Sequence, residues 1–150
     1  MKYLLIITVA IFVFNNGCNN AADNKEAAAK THTDSLMDEV MKGHDEAMAK
    51  SNKISSAQKL VKQSIDSIDK LSPKIKPAAA TYKVQLDSLS AELSQASSYM
   101  DKWMEEFNMD SAKNDAELRA KYLESEKEKV IKVKETMVSA LQKADSILKK

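Results

Sequence analysis

The 150-residue sequence holds only two glycines, two prolines and one cysteine; aromatic residues make up 5% of it, and neither sign of charge dominates. Each shortage excludes something. After residue 17 no Asn-Gly, Asp-Gly or Gly-Gly pair supplies the positive backbone angles of tight hairpins, so sheets, barrels and Gly-rich phosphate loops are not expected. A single cysteine cannot form an internal disulfide. Lysine and arginine total 23 against 22 acidic residues, for a formal charge of +1 with the signs interleaved. A nucleic-acid binder needs a basic face that releases counterions, and none is visible, so no nucleic-acid partner is expected. What remains, 43% hydrophobic and 30% charged residues with few helix breakers, is the composition of long amphipathic helices.

The first 17 residues place Lys2 before a largely apolar run from Leu4 to Phe14, followed by Asn15, Asn16 and Gly17. The run is too short for a bilayer core of ~30 Å, which needs ~20 apolar residues, so residues 1–17 read as a signal peptide. A small residue just before a cysteine resembles the processing site of bacterial lipoproteins, and Gly17 and Cys18 carry that resemblance. It implies that Cys18 is lipidated and becomes the new N-terminus. Two or more acyl chains hold a protein stably, since each buried methylene contributes ~0.8 kcal/mol. Residues 18–33 are then a lipidated cysteine and a polar tether that includes Lys25-Glu26-Ala27-Ala28-Ala29-Lys30, a composition typical of semi-rigid helical spacers. Asn19, rather than an acidic residue, follows the cysteine. The resemblance accordingly implies an outer-membrane lipoprotein facing the periplasm.

Residues 34–150 carry three amphipathic segments. In the middle one Tyr82, Leu86, Leu89, Leu93, Ala96, Met100, Trp103 and Phe107 recur at spacings of four and three, a coiled-coil-like seam. The first, about Ser35 to Lys70, places Met37, Met41, His44, Met48, Ser51, Ile54, Gln58, Val61, Ile65 and Ile68 on a matching stripe. The third, about Asp115 to Lys149, runs through Ala116, Ala120, Leu123, Val130, Val133, Met137, Leu141, Ala144 and Leu148, with Glu126 and Lys127 interrupting it. Pro73 and Pro77 punctuate the first gap, and Asn114 with Glu117 offers a capping box after the second. Three helices of matching length, about 45 to 52 Å each, are predicted. Short loops make neighbours antiparallel, so the expected fold is all-α: an up-down-up three-helix bundle after an N-terminal signal and linker.

Folding the chain at two loops of about six residues pairs first-helix with second-helix residues whose numbers sum to about 150, and second with third at about 222. His44 and Met48 then meet Trp103 and Phe107 opposite Ala116 and Ala120. Ser51 and Ala96 meet Glu126 and Lys127 in a partly polar waist. Gly43 costs about 1 kcal/mol inside a helix and marks a kink or a close backbone approach unless it is incidental.

Chemistry is sparse. Of eight methionines, Met37, Met41, Met48, Met100, Met104 and Met109 fall at one end of the bundle with His44 and Trp103. Thioethers and imidazole favour Cu(I), and the copper candidates are Met41, His44, Met48 and Met100. The competing reading makes methionine a flexible core filler that contacts aromatic rings. Asp38, Glu39, Asp45 and Glu46 lack the Glu-x-x-His pairing of di-iron bundles and read as a solvated face. No Gly-x-Ser-x-Gly turn is present, so no catalytic residue is assigned. No cofactor is expected.

At Met41, His44-Asp45-Glu46, Met48, Trp103-Met104, Phe107, Tyr122-Leu123 and Glu126 the chain resembles a group of small lipoproteins of Bacteroidetes-type bacteria. Their family name, viral A-type inclusion protein, derives from coiled-coil similarity. The resemblance covers most of residues 35 to 145 and implies neither a viral role nor an established activity, and it assigns no functional residue. The expected function is that of a non-enzymatic, lipid-anchored envelope protein acting as a structural or binding module, with the membrane and an unidentified envelope protein as partners. A copper-binding lipoprotein and an oligomerising coiled-coil scaffold are the alternatives.

Overall fold

The computed structural model describes residues 31–149. The expected signal peptide, Cys18 and all but the last three residues of the expected tether lie outside the described residues. Among the described residues, α1 (His32–Asp69) is followed by a 3-10 turn (Lys76–Ala79), α2 (Ala80–Glu106) and α3 (Ala116–Leu148), packed against one another as an up-down-up bundle. No helix among them is long and apolar enough to cross a membrane.

Local chemistry sets the helix ends. Thr31 opens α1 with a reciprocal capping box: its hydroxyl accepts from the Asp34 backbone N–H, and the Asp34 carboxylate accepts from the Thr31 N–H, both at 3.1 Å. The helix therefore begins at His32, inside the segment expected to be tether. Pro77 stands in the first turn of the 3-10 helix, where its missing donor costs nothing. The Lys76 ammonium donates to the carbonyl of Asp69 at 3.1 Å, satisfying a terminal acceptor of α1. The cap of α3 is Asp115 rather than Asn114. Its backbone is extended, and its carboxylate accepts from the N–H groups of Glu117 and Leu118 at 3.0 Å.

The core is a heptad lattice. Val40, Ala47, Ile54, Val61 and Ile68 lie seven apart on α1; Leu86, Leu93 and Met100 with Leu89, Ala96 and Trp103 do so on α2; Leu123, Val130, Met137 and Ala144 do so on α3. All are buried, and each large apolar side chain taken from water contributes ~1.5–3 kcal/mol. The expected stripe on the first half of α1 is one residue out. Leu36, Val40, Gly43 and Ala47 are buried there, while Met37, Met41 and His44 sit at the border and Met48 is exposed. On α3, Ala140 and Ile147 are buried, with Leu141 and Leu148 packed at the edge of the core.

Lengths and register differ from expectation too. α1 has 38 residues, α3 has 33 and α2 only 27, so α2 is shorter than α1 by about 16 Å. α1 and α3 run parallel: Glu39 pairs with Lys127, and Glu46 with Lys134 at 2.9 Å. α1 packs more extensively against α3 than either does against α2. On the other side Phe107 stacks on Tyr122, and the Lys143 ammonium donates to Glu92. The α2–α3 register is thus displaced by about two turns or more: His44 does meet Trp103 as expected, at 5.7 Å, but Tyr122 stands against Phe107 where Ala116 or Ala120 was expected. Ala116 is exposed and Ala120 only partly buried. The waist is displaced as well: Glu126 is buried beside the Lys127–Glu39 pair at the sulfur-rich end, whereas mid-helix Ile54, Leu93, Ala96 and Met137 are at most 1% exposed.

The cause is the second connection. Because α2 stops early, residues 107–115 run back along the first turns of α3 as a strap. The Asn108 N–H donates to the Tyr122 hydroxyl at 2.8 Å, and the Arg119 guanidinium donates to the carbonyls of Ser111 and Met109 at 2.9 and 3.0 Å. Ala112 takes a φ of 54° within the strap, a left-handed conformation that costs an L-residue roughly 1–2 kcal/mol and that these contacts offset.

Gly43 marks a close approach. A Cβ at that position would lie 2.7 Å from Val130 Cγ1, so the missing side chain is what lets α1 and α3 meet.

Candidate functional site

Where α2 runs out, four aromatic rings cross the bundle end. His44 on α1 lies 5.7 Å from Trp103 on α2, tilted by 34°. Trp103 stacks on Phe107 at 4.9 Å, and Phe107 on Tyr122 of α3 at 6.2 Å. Helical spacing places Trp103 and Phe107 one turn apart on the same face, and the strap begins at Phe107, so its ring is held against the end of α2. Offset and tilted rings at such separations attract beyond their buried area.

Beside this ladder lies a cleft of about 250 Å³ lined by Met41, His44, Trp103, Met104, Phe107 and Met109. It draws on α1, α2 and the strap. Trp103 is 5% exposed, and its buried indole N–H has no hydrogen-bond partner among the described residues. Met104 and Met109 stand on the rim, 40% and 59% exposed. His44 Nδ1 is 2.9 Å from the Asp45 carboxylate. An ionised carboxylate only accepts, so Nδ1 donates, and in the neutral ring the free lone pair belongs to Nε2.

The candidates chosen from sequence divide. Met41 and His44 line the cleft. Met48 does not; it is exposed on α1, with the Ser51 hydroxyl 3.8 Å from its sulfur. Met100 does not either, being 2% exposed inside the core as a heptad residue. The structure replaces them with Met104 and Met109. Both were expected at this end of the bundle but not among the copper candidates; Met104 follows the buried Trp103 in sequence, and Met109 follows Phe107, the first strap residue, by two.

The acidic residues beside His44 are engaged along the flank. Glu46 is held below the usual glutamate range because Lys134 donates to it. No group of three or more His, Cys, Asp or Glu side chains converges as a metal site among the described residues. Glu126, 3% exposed, accepts from Lys129 at 2.8 Å; that bond raises the affinity of the lysine for its proton. Tyr99, off the core stripe, is exposed and accepts from Gln95 at 2.9 Å.

A larger depression of about 640 Å³ runs between α1 and α3 near Leu60, Leu141 and Leu148. Its lining holds no thioether, thiol or imidazole, and the Ser56 hydroxyl within it donates to the Asn52 carbonyl at 2.8 Å, which leaves the ring-and-thioether cleft as the place with distinctive chemistry. No family model matches the chain, and neither a curated protein nor a solved structure matches it. Function is argued from the cleft and from the sequence around Cys18.

Proposed function

We propose that this chain is a lipid-anchored, non-enzymatic binding module of the cell envelope, with the cleft at the end of the bundle as its working surface. The cleft carries the reading. It combines exposed thioethers with an indole N–H that has no hydrogen-bond partner among the described residues, positioned by α1, α2 and the strap. Its one titratable lining side chain is His44, paired with Asp45, and no hydroxyl or thiol nucleophile is among the lining residues.

Topology relates the cleft to the anchor. The start of α1, the end of α2 and the start of α3 share one end of the bundle, so the cleft lies at the end from which the tether leaves. From Cys18 to Thr31 an extended chain reaches at most about 45 Å. An anchor at Cys18 in the outer membrane would hold the cleft near the lipid surface on the periplasmic side. The scaffold alternative requires helices exchanged between chains, and here the heptad rows are covered within one chain.

The anchor is tested by detergent phase partition of protein made in a lipoprotein-processing host. The natural chain is expected in the detergent phase with incorporated acyl label, and Cys18→Ser in the aqueous phase without it. Equal partition and no label in either protein would refute lipidation.

A further inference from the structure

The cleft lining has a defined chemical character. Three thioethers, Met41 from α1, Met104 from α2 and Met109 from the strap, converge with one imidazole, and no carboxylate is among the lining residues. Hard divalent cations select oxygen donors, whereas thioether with imidazole selects soft cations, Cu(I) above all. The imidazole is prepared for that role. The Asp45 carboxylate accepts a hydrogen bond from His44 Nδ1–H at 2.9 Å, which leaves the Nε2 lone pair of the neutral ring for a metal. This carboxylate–imidazole pairing is the outer-shell arrangement that ligating histidines typically have. Trp103 and Phe107 also line the cleft and give it an apolar wall beside His44.

Two features of the rim point the same way. Methionine as core filler should be buried, yet Met104 and Met109 are exposed while Trp103 between α1 and the strap is buried and Phe107 partly so. Arg119 clamps the Met109 carbonyl, so the strap holds this residue at the cleft instead of letting it wander.

We propose that Met41, His44, Met104 and Met109 form a binding site for one soft monovalent cation, Cu(I) or its analogue Ag(I), at the tether-proximal end of the bundle. This names the ligand of the binding module proposed above and rests on that reading for the cleft, though not for the anchor. Binding is without change of oxidation state: the ion arrives and leaves as Cu(I), exchanged with thioether or thiolate carriers.

The experiment uses the full-length chain in detergent with Cys18→Ser, so that no thiol contributes. Cu(I) is titrated anaerobically against a chromophoric Cu(I) chelator, with Ag(I) as a redox-stable check, while the emission of Trp103, the sole tryptophan, is followed. One equivalent taken up, with saturable quenching of Trp103, is expected. The pair Met104→Leu and Met109→Leu keeps apolar volume at exposed positions, so the helical circular dichroism should be unchanged while affinity falls by about tenfold or more. Met48→Leu, outside the cleft, should leave affinity unaltered. No uptake, equal affinity in the Met104/Met109 variant, an equal loss in Met48→Leu, or Zn(II) bound as tightly as Cu(I) would each overturn the assignment. Because the partition of the natural chain is measured separately, absent Cu(I) binding with an intact anchor refutes the metal site alone, and Cu(I) binding without an anchor refutes only the localisation.

Discussion

Replacing Gly43 with alanine should destabilise this bundle, although in an exposed helix the same change stabilises by about 1 kcal/mol by lowering the entropy of the unfolded chain. The added Cβ would stand 2.7 Å from Val130 Cγ1, about 1 Å inside an ordinary carbon–carbon contact. Val130 has no accessible surface, and its branched side chain has essentially one rotamer in a helix, so it cannot swing away. Overpacking of this kind costs about 1–3 kcal/mol, which leaves a net loss of roughly 0–2 kcal/mol. Val130→Ala alone should cost about 2 kcal/mol or more, for two lost methyl groups and the cavity they leave. In that background the collision is gone, and Gly43→Ala should stabilise by about 1 kcal/mol. The coupling energy is then about 1–3 kcal/mol and compensatory in sign. Urea unfolding of the four proteins, followed by helical circular dichroism, measures it; each kcal/mol also moves the melting midpoint by about 4 °C. If Gly43→Ala stabilises the natural chain, or acts equally in both backgrounds, the close approach of α1 and α3 is not what retains the glycine.

Three further outcomes are expected. Glu126→Leu should be neutral or stabilising by about 1–2 kcal/mol in urea unfolding, because a buried charge is exchanged for apolar packing and its partner Lys129 remains mostly in water; a loss above about 1 kcal/mol would show that the carboxylate supports the strap end. Glu92 is held below the usual carboxylate range, chiefly because Lys143 donates to it. Its folded pKa lies below its unfolded one, so its contribution is present above the ordinary glutamate range and is lost as pH falls through the depressed value. Urea midpoints of the natural chain and Glu92→Gln should therefore differ at neutral pH, shrink in difference with salt, and converge once the pH has fallen well below the ordinary glutamate range; a difference that persists there refutes the charge pairing. Arg119→Ala should speed amide exchange across residues 107–115 while moving the melting midpoint by less than about 4 °C, and unchanged exchange would mean that the guanidinium does not hold the strap.

The limits of sequence reading show most plainly on α1. Val40, Ala47, Ile54, Val61 and Ile68 stand seven apart, and that row is the core. The larger methionines at 37, 41 and 48 and the histidine at 44 compete with it at helical spacing, and ranking residues by size selects the wrong stripe by one position. Gly43 and Ala47 are buried because α3 comes close there, a reason that no hydropathy scale assigns to small residues. On α2 nothing competes, and the row from Leu86 to Trp103 could be read directly.

An all-α chain, three helices, the capping motif at Thr31 and the heptad rows of α2 and α3 are local properties, carried by residues within one or two turns of each other, and sequence alone determines them. Tertiary structure decided how the helices slide past one another. The early end of α2, the strap folded back onto Tyr122 and Arg119, and the approach of Gly43 to Val130 set that register together. Each depends on groups distant in sequence meeting in space. The membership of the cleft follows from packing as well: the buried row of α1 leaves Met48 on the outside, the buried row of α2 takes Met100 into the core, and Met104 and Met109 are left to line the cleft with Met41 and His44.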